Sequence, residues 1–120
     1  MDNTEYKYLI AVASSDGIVV NQHFGRAKEF LLIGLDKENQ IHHIEKRNVV
    51  PVCEGGNHDE QKLETTARMF ADCKYILVSR IGQSATYTLE RFGITPMELP
   101  GIIEESIQKL LVYEELQNLF

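Results

Sequence analysis

The chain has 120 residues, enough for one domain with a real core, and its 43% hydrophobic and 25% charged content is ordinary for a soluble globular protein. A formal net charge of −6 argues against general binding to nucleic acid, whose phosphates call for a basic face. No run of about 18 apolar residues is present, so no membrane-spanning helix is expected, and the acidic start of "MDNTEYKYLIAVA" does not read as a secretory signal, leaving the cytoplasm as the expected location.

Residues 6–14, "YKYLIAVAS", are apolar on both alternating faces, as in a central strand covered on both sides. Residues 29–35 give a second strand. The polar tetrapeptide 36–39 turns the chain into a third, 40–48, whose His42, His43, Glu45, Lys46 and Arg47 suit a sheet edge. Asn57 with Glu60 three residues on reads as the start of a helix, and Leu63, Ala67, Phe70 and Ala71 carry it to about Cys73. "YILV" at 75–78 reads as a buried parallel strand. Ser84 is the expected cap of a second helix with Ala85, Leu89 and Phe92 on one face, and Gly93 is its expected stop. Pro96 demotes 94–99 to an edge strand. A last helix is expected from about Ile102 to Gln117, with Ile103, Ile107, Leu110 and Leu111 toward the core.

The order is β-β-β-α-β-α-β-α within a single domain, residues 1–120. Short turns make the first three strands an antiparallel meander, and helical crossovers add the rest. The expected fold class is therefore α/β: a three-layer arrangement with a mixed five-stranded sheet and helices on both faces, in the order found in ribonuclease H-like folds.

Ligands of open α/β sheets collect outside the carboxyl ends of the strands. Three segments are expected to converge there: "SSDGIVVNQHFGR", "CEGGN" and "SRIGQS". The last two deliver helix N-termini, which favour an anion, and Arg26 and Arg80 can add full charges. His23 and Cys53 are the metal-competent groups. A loop histidine is most often surface decoration, but Phe24 and Gly25 beside it can hold a ring in place. Cys53 with His58 is at most half a zinc site, because no second Cys or His pair follows at finger spacing. Cys73 reads as core packing, two cysteines being too few for a disulfide scaffold. His42 and His43 alternate on a strand and cannot form a joint site.

Taken together, "IAVASSDGIVVNQHFGRAKEF", "CEGGNHDE" and "LETTARMFADCKYILVSRIGQSATYTLERFGI" resemble the dinitrogenase iron–molybdenum cofactor biosynthesis domain family, the small module of NifX, NafY and the C-terminal part of NifB. The resemblance implies a ribonuclease H-like fold and a site that binds or carries iron–sulfur precursors of the nitrogenase cofactor. It places the family's histidine at His23 and the neighbouring cysteine at Cys53. The sequence holds no radical-SAM "CxxxCxxC" segment, so cluster-forming chemistry is not expected of it.

The expected function is a non-catalytic carrier for an anionic iron–sulfur or iron–molybdenum cofactor precursor cluster. Neutral His23 and a Cys53 thiolate would ligate iron, while Arg26, Arg80 and the helix start near Ser84 would balance charge. Expected partners are the cluster and nitrogenase cofactor assembly proteins, with neither nucleic acid nor membrane, the chain being a monomer or weak dimer. A ribonuclease H-type nuclease would need gathered carboxylates, yet the first strand offers only Asp16 in its terminal turn and "YILVSRIG" has no acid. A regulatory or interaction domain binding a small anion, or no ligand, is the alternative.

Overall fold

The doubly apolar stretch near the start becomes β1 (Tyr6–Val12), the central strand of the sheet. Leu9, Ile10, Ala11 and Val12 are all buried, so both faces of the strand are covered. In the computed structural model, which describes residues 5–51 and 60–119, β1 is flanked by β3 (Glu29–Asp36), antiparallel, and β5 (Cys73–Val78), parallel. β4 (Ile41–Asn48) and β6 (Thr95–Glu98) form the two edges of a five-stranded mixed sheet in the order β4-β3-β1-β5-β6.

The expected meander and edge strands are thus present. Polar β4 lies at one edge, and Pro96, which cannot donate to a second neighbour, lies in β6 at the other. The turn between β3 and β4 is held by Asp36, whose Oδ1 accepts from the N–H groups of Glu38 and Gln40, both at 2.9 Å. Gly34 sits beneath Tyr6, where a Cβ would lie 2.7 Å from the tyrosine ring, so any side chain here would force the ring to shift.

Helices cover both faces. Leu63 and Ala67 of α1 (Glu60–Met69) and Ala85 and Leu89 of α2 (Gln83–Arg91) pack on Leu9, Ala11, Leu32, Ile76 and Val78. On the other face, Ile103, Ile107 and Leu110 of α3 (Ile103–Gln117) pack on Ile10, Val12, Ile33, Leu35 and Leu77. The alternation of β1 residues between the two clusters is the period-2 pattern of a buried strand. Glu114 ties α3 to the sheet: its Oε1 accepts from the Tyr8 hydroxyl and its Oε2 from the Tyr75 hydroxyl, each at 2.6 Å. Arg47 of β4 donates to the Met69 carbonyl at 2.7 Å and pairs with Asp72, joining the sheet edge to the end of α1.

Three local expectations are corrected. α1 ends at Met69, because 70–72 form a turn, and Cys73 opens β5. α2 is capped by Gly82 rather than Ser84: the Thr86 N–H donates to the Gly82 carbonyl at 3.0 Å, which makes Gly82 the N-cap and places Ser84 inside the first turn. Gly93 does end α2, with φ of +80° and Schellman-type bonds from Gly93 to Glu90 and from Ile94 to Leu89. A two-stranded sheet of β2 (Val19–Val20) and β7 (Gly101–Ile102) was not expected. It fastens the loop after β1 to the start of α3, where the Ile103 N–H donates to the Ile18 carbonyl at 3.0 Å.

Candidate functional site

Beyond β1 the chain doubles back over its own strand end. The N–H groups of Asn21 and Gln22 both reach the Ala13 carbonyl, at 3.2 and 3.3 Å, and the Ser79 N–H donates to the Gln22 carbonyl at 3.0 Å. His23 then pairs with Arg80 in a parallel bridge, and the Phe24 N–H donates to the Arg80 carbonyl at 2.9 Å. The first and third of the three expected segments therefore meet at the carboxyl ends of β1 and β5, where such sheets collect ligands.

Phe24 explains why this connection is fixed. Its ring is 3% exposed and packs 6.0 Å from Phe30, which in turn meets Phe70 at 4.9 Å. The Arg26 and Ala27 N–H groups both close on the His23 carbonyl at 3.1 Å, and Ala27 is buried. The His23 backbone is held on both sides while its side chain is exposed. Gly25 keeps a negative φ, so the aromatic anchor rather than left-handed glycine geometry sets the turn.

Asp16 organises the preceding loop. Its Oδ1 accepts from the N–H groups of Ile18 at 2.8 Å and Val19 at 3.1 Å, and from the Ser14 hydroxyl at 3.2 Å. Those backbone donors, Ile18 first, hold its carboxyl below the ordinary aspartate range. Gly17, at φ of +77°, completes the turn, and Ser15 and Asn21 bond to each other across its base. Asp16 thus has a structural task in the loop rather than a place in a carboxylate cluster.

Beside this loop lies a cavity of about 340 Å³ lined by Ser14, Ser15, Gln22, Arg26, Lys28 and Glu29. Arg26 and Lys28 of this lining, and Arg80 nearby, are exposed and form no ion pair among the described residues, and Glu29 is the one acid among the lining residues described. The N-cap of α2, Gly82, has no side chain to bond the first-turn N–H groups, and exposed Ser84 sits among them. One nearby donor is already taken, since the Ile81 N–H gives to Glu98 Oε2 at 2.9 Å. The Ser79 hydroxyl, buried at the end of β5, has no partner among the described residues.

His23, Arg26, Arg80 and Ser84 are therefore gathered at one end of the sheet. Cys53, with Gly55, Gly56, Asn57 and His58, lies outside the described residues. Cys73 belongs elsewhere: it is 3% exposed at the amino end of β5, and burial, followed by the charge of Asp72, pushes its thiol well up, as expected of a packing residue. His42 is bonded to Asp36 at 2.7 Å and tilted against Tyr6, while His43 is exposed. Among the described residues no three His, Cys, Asp or Glu side chains converge as a metal cage. Chemically, the described residues offer one imidazole, three cations without an ion pair among them and helix-start N–H groups without a side-chain cap, which suits an anion held by few bonds. Ser14, Ser15 and Gln22 lie in the segment expected to converge here, though none was singled out, and Lys28 lies beyond it. The tight return of 21–22 onto Ala13 brings Gln22 back over the strand end.

A family model described as dinitrogenase iron–molybdenum cofactor matches residues 6–112. The FeMo cofactor biosynthesis protein NifB of Chlorobaculum tepidum is 33% identical over 115 residues, covering 96% of this chain and 26% of that protein. Protein NifY of Klebsiella pneumoniae is 30% identical over 95 residues, covering 78% of this chain and 39% of NifY. The chain thus spans about a quarter of the NifB length and well under half of NifY. The crystal structure of the protein PH0822 superposes with a TM-score of 0.63 at 20% identity, covering 85% of this chain and 88% of that one.

Proposed function

The chain belongs to the dinitrogenase iron–molybdenum cofactor family, and on that premise we propose that it is a non-catalytic carrier for an anionic iron–sulfur cluster of the cofactor-precursor type. The observation that carries this reading is the His23–Arg80 bridge: it sets an exposed imidazole beside a guanidinium that has no ion pair among the described residues, at the carboxyl end of the sheet. In this reading the cluster is cargo. His23 gives one nitrogen to iron, and Cys53, which the resemblance places beside the site, gives a thiolate. Arg26, Arg80 and the start of α2 around Ser84 balance the cluster's charge without bonding its iron, so the cargo can leave. The net charge of −6 on the whole chain discourages indiscriminate anion binding.

The strand order also supports assignment to the ribonuclease H-like class, here without nuclease chemistry, since Asp16 is committed to its loop. No described helix is long and apolar enough to cross a membrane, and a cytoplasmic place among nitrogenase cofactor assembly proteins, as monomer or weak dimer, completes the proposal.

Anaerobic incubation with an iron–sulfur cofactor precursor, gel filtration, and assay of iron and sulfide in the protein peak test it. Retained iron and sulfide near one cluster per chain, with unchanged far-UV dichroism, is the expected result. Binding of phosphate or another simple anion with no retained iron would instead favour a regulatory anion-binding domain.

A further inference from the structure

At the opposite end of the strands from His23, between the sheet and the last turns of α3, lies a second cavity of about 450 Å³. Its lining includes Lys7, Tyr8, Lys74, Tyr75, Tyr113 and Glu114. We propose that this cavity is a second binding site, selective for a small organic monocarboxylate, independent of the cluster site.

The charges and hydrogen bonds decide the class of ligand. Glu114 accepts at both oxygens, from Tyr8 on one and from Tyr75 and Lys74 on the other, so its charge is largely met by this chain's own donors and it serves mainly as a wall. An added cation would also find Tyr8 and Tyr75 already facing a charge: the Lys74 ammonium lies 4.9 Å from the Tyr8 ring centre and 5.5 Å from that of Tyr75. Lys74, by contrast, has donors to give. An ammonium carries three N–H bonds, and its contact with Glu114, at 3.3 Å, engages one of them. Lys7 bonds to the Asn39 side chain and also faces the Tyr8 ring.

Among the described residues of this lining, two lysines against one glutamate leave one positive charge in excess, which matches a single carboxylate. The rings and Glu114 hold Lys74 in place beforehand, so little ordering is needed on binding. A bare inorganic anion would leave most of the volume to water. A flat or apolar body of about ten heavy atoms, lying along Tyr113 and the neighbouring wall, fits a cavity of this size.

The test is an amide-resolved NMR titration of the intact chain with benzoate, inorganic phosphate and benzylammonium. Benzoate is expected to give saturable shifts at Lys74, Tyr75 and Tyr113, while phosphate and benzylammonium give none there. Lys74→Gln is expected to weaken benzoate about tenfold, the loss of one charge-assisted contact. Lys7→Gln provides a second reading that leaves the Glu114 contacts untouched, and should weaken benzoate as well. No saturable benzoate shift, equal response to benzylammonium or phosphate, or full affinity retained in both lysine variants would each overturn the proposal. The reporters lie at the end of the sheet opposite His23, so failure here is separable from failure of the carrier reading.

Discussion

His23 and Arg80 stand side by side in a single parallel bridge, although 57 positions of sequence, from 23 to 80, separate them. The bridge is closed by the Phe24 N–H on the Arg80 carbonyl at 2.9 Å, so the two side chains leave a backbone that cannot drift apart. An exposed imidazole and an exposed guanidinium are thereby placed together.

Arg26 and Arg80 have no ion-pair partners among the described residues, so replacing either should cost little stability. Arg26→Gln and Arg80→Gln are each expected to weaken an anionic cluster by about three- to tenfold, with a shallower salt dependence of binding. Affinity measured at two ionic strengths checks this. Unchanged affinity in the double variant would remove the cationic margin from the site.

Phe24 couples stability to the site, because the same buried ring that fills the core holds the His23 turn. Phe24→Ala is expected to cost about 3–5 kcal/mol by urea denaturation. Phe24→Leu should cost less and restore most cluster affinity, since it refills the volume that anchors the turn.

Gly34→Ala should destabilise the sheet by about 1–3 kcal/mol, because its methyl would meet the Tyr6 ring at 2.7 Å. Combining it with Tyr6→Ser should recover part of that loss, and additive losses in the double variant would contradict the assigned contact.

Glu114 predicts part of the acid limb of stability. Burial raises its carboxyl, but the hydrogen bonds from Tyr75, Tyr8 and Lys74 outweigh burial and hold it below the ordinary glutamate value. A carboxyl depressed in the folded state contributes stability above its unfolded value and loses it as pH falls through the folded one. Glu114→Gln should therefore be less stable at neutrality, by about 2 kcal/mol. It should also show a smaller decline than the wild type on acidification below about pH 4.5. Parallel acid limbs in urea midpoints would count against this role.

The sheet was legible because its signals are local and periodic: the doubly apolar β1, polar β4, and Pro96 at an edge each follow from a few consecutive residues. β2 and β7 are two residues each, too short for any period to show. The capping error at Ser84 has a similar origin. A serine near a helix start is the common cap, but the chain enters α2 two residues earlier, with Gly82 supplying the first carbonyl. At the site, His23, Arg26 and Arg80 could be named by residue type and strand-end position. The Tyr8–Glu114 contact joins residues 106 positions apart and no local pattern announces it, which is why the second cavity stayed hidden.

The most direct test of the carrier account is anaerobic titration of wild type and His23→Ala with an iron–sulfur cofactor precursor, followed by absorbance and EPR. His43→Ala is the better histidine control, because His42 holds Asp36 and its loss would disturb the fold. Wild type and His43→Ala should bind alike. His23→Ala should bind about tenfold more weakly or worse, with its melting temperature and far-UV dichroism unchanged and an altered EPR signal. Equal affinity and an identical signal in wild type and His23→Ala would contradict the account.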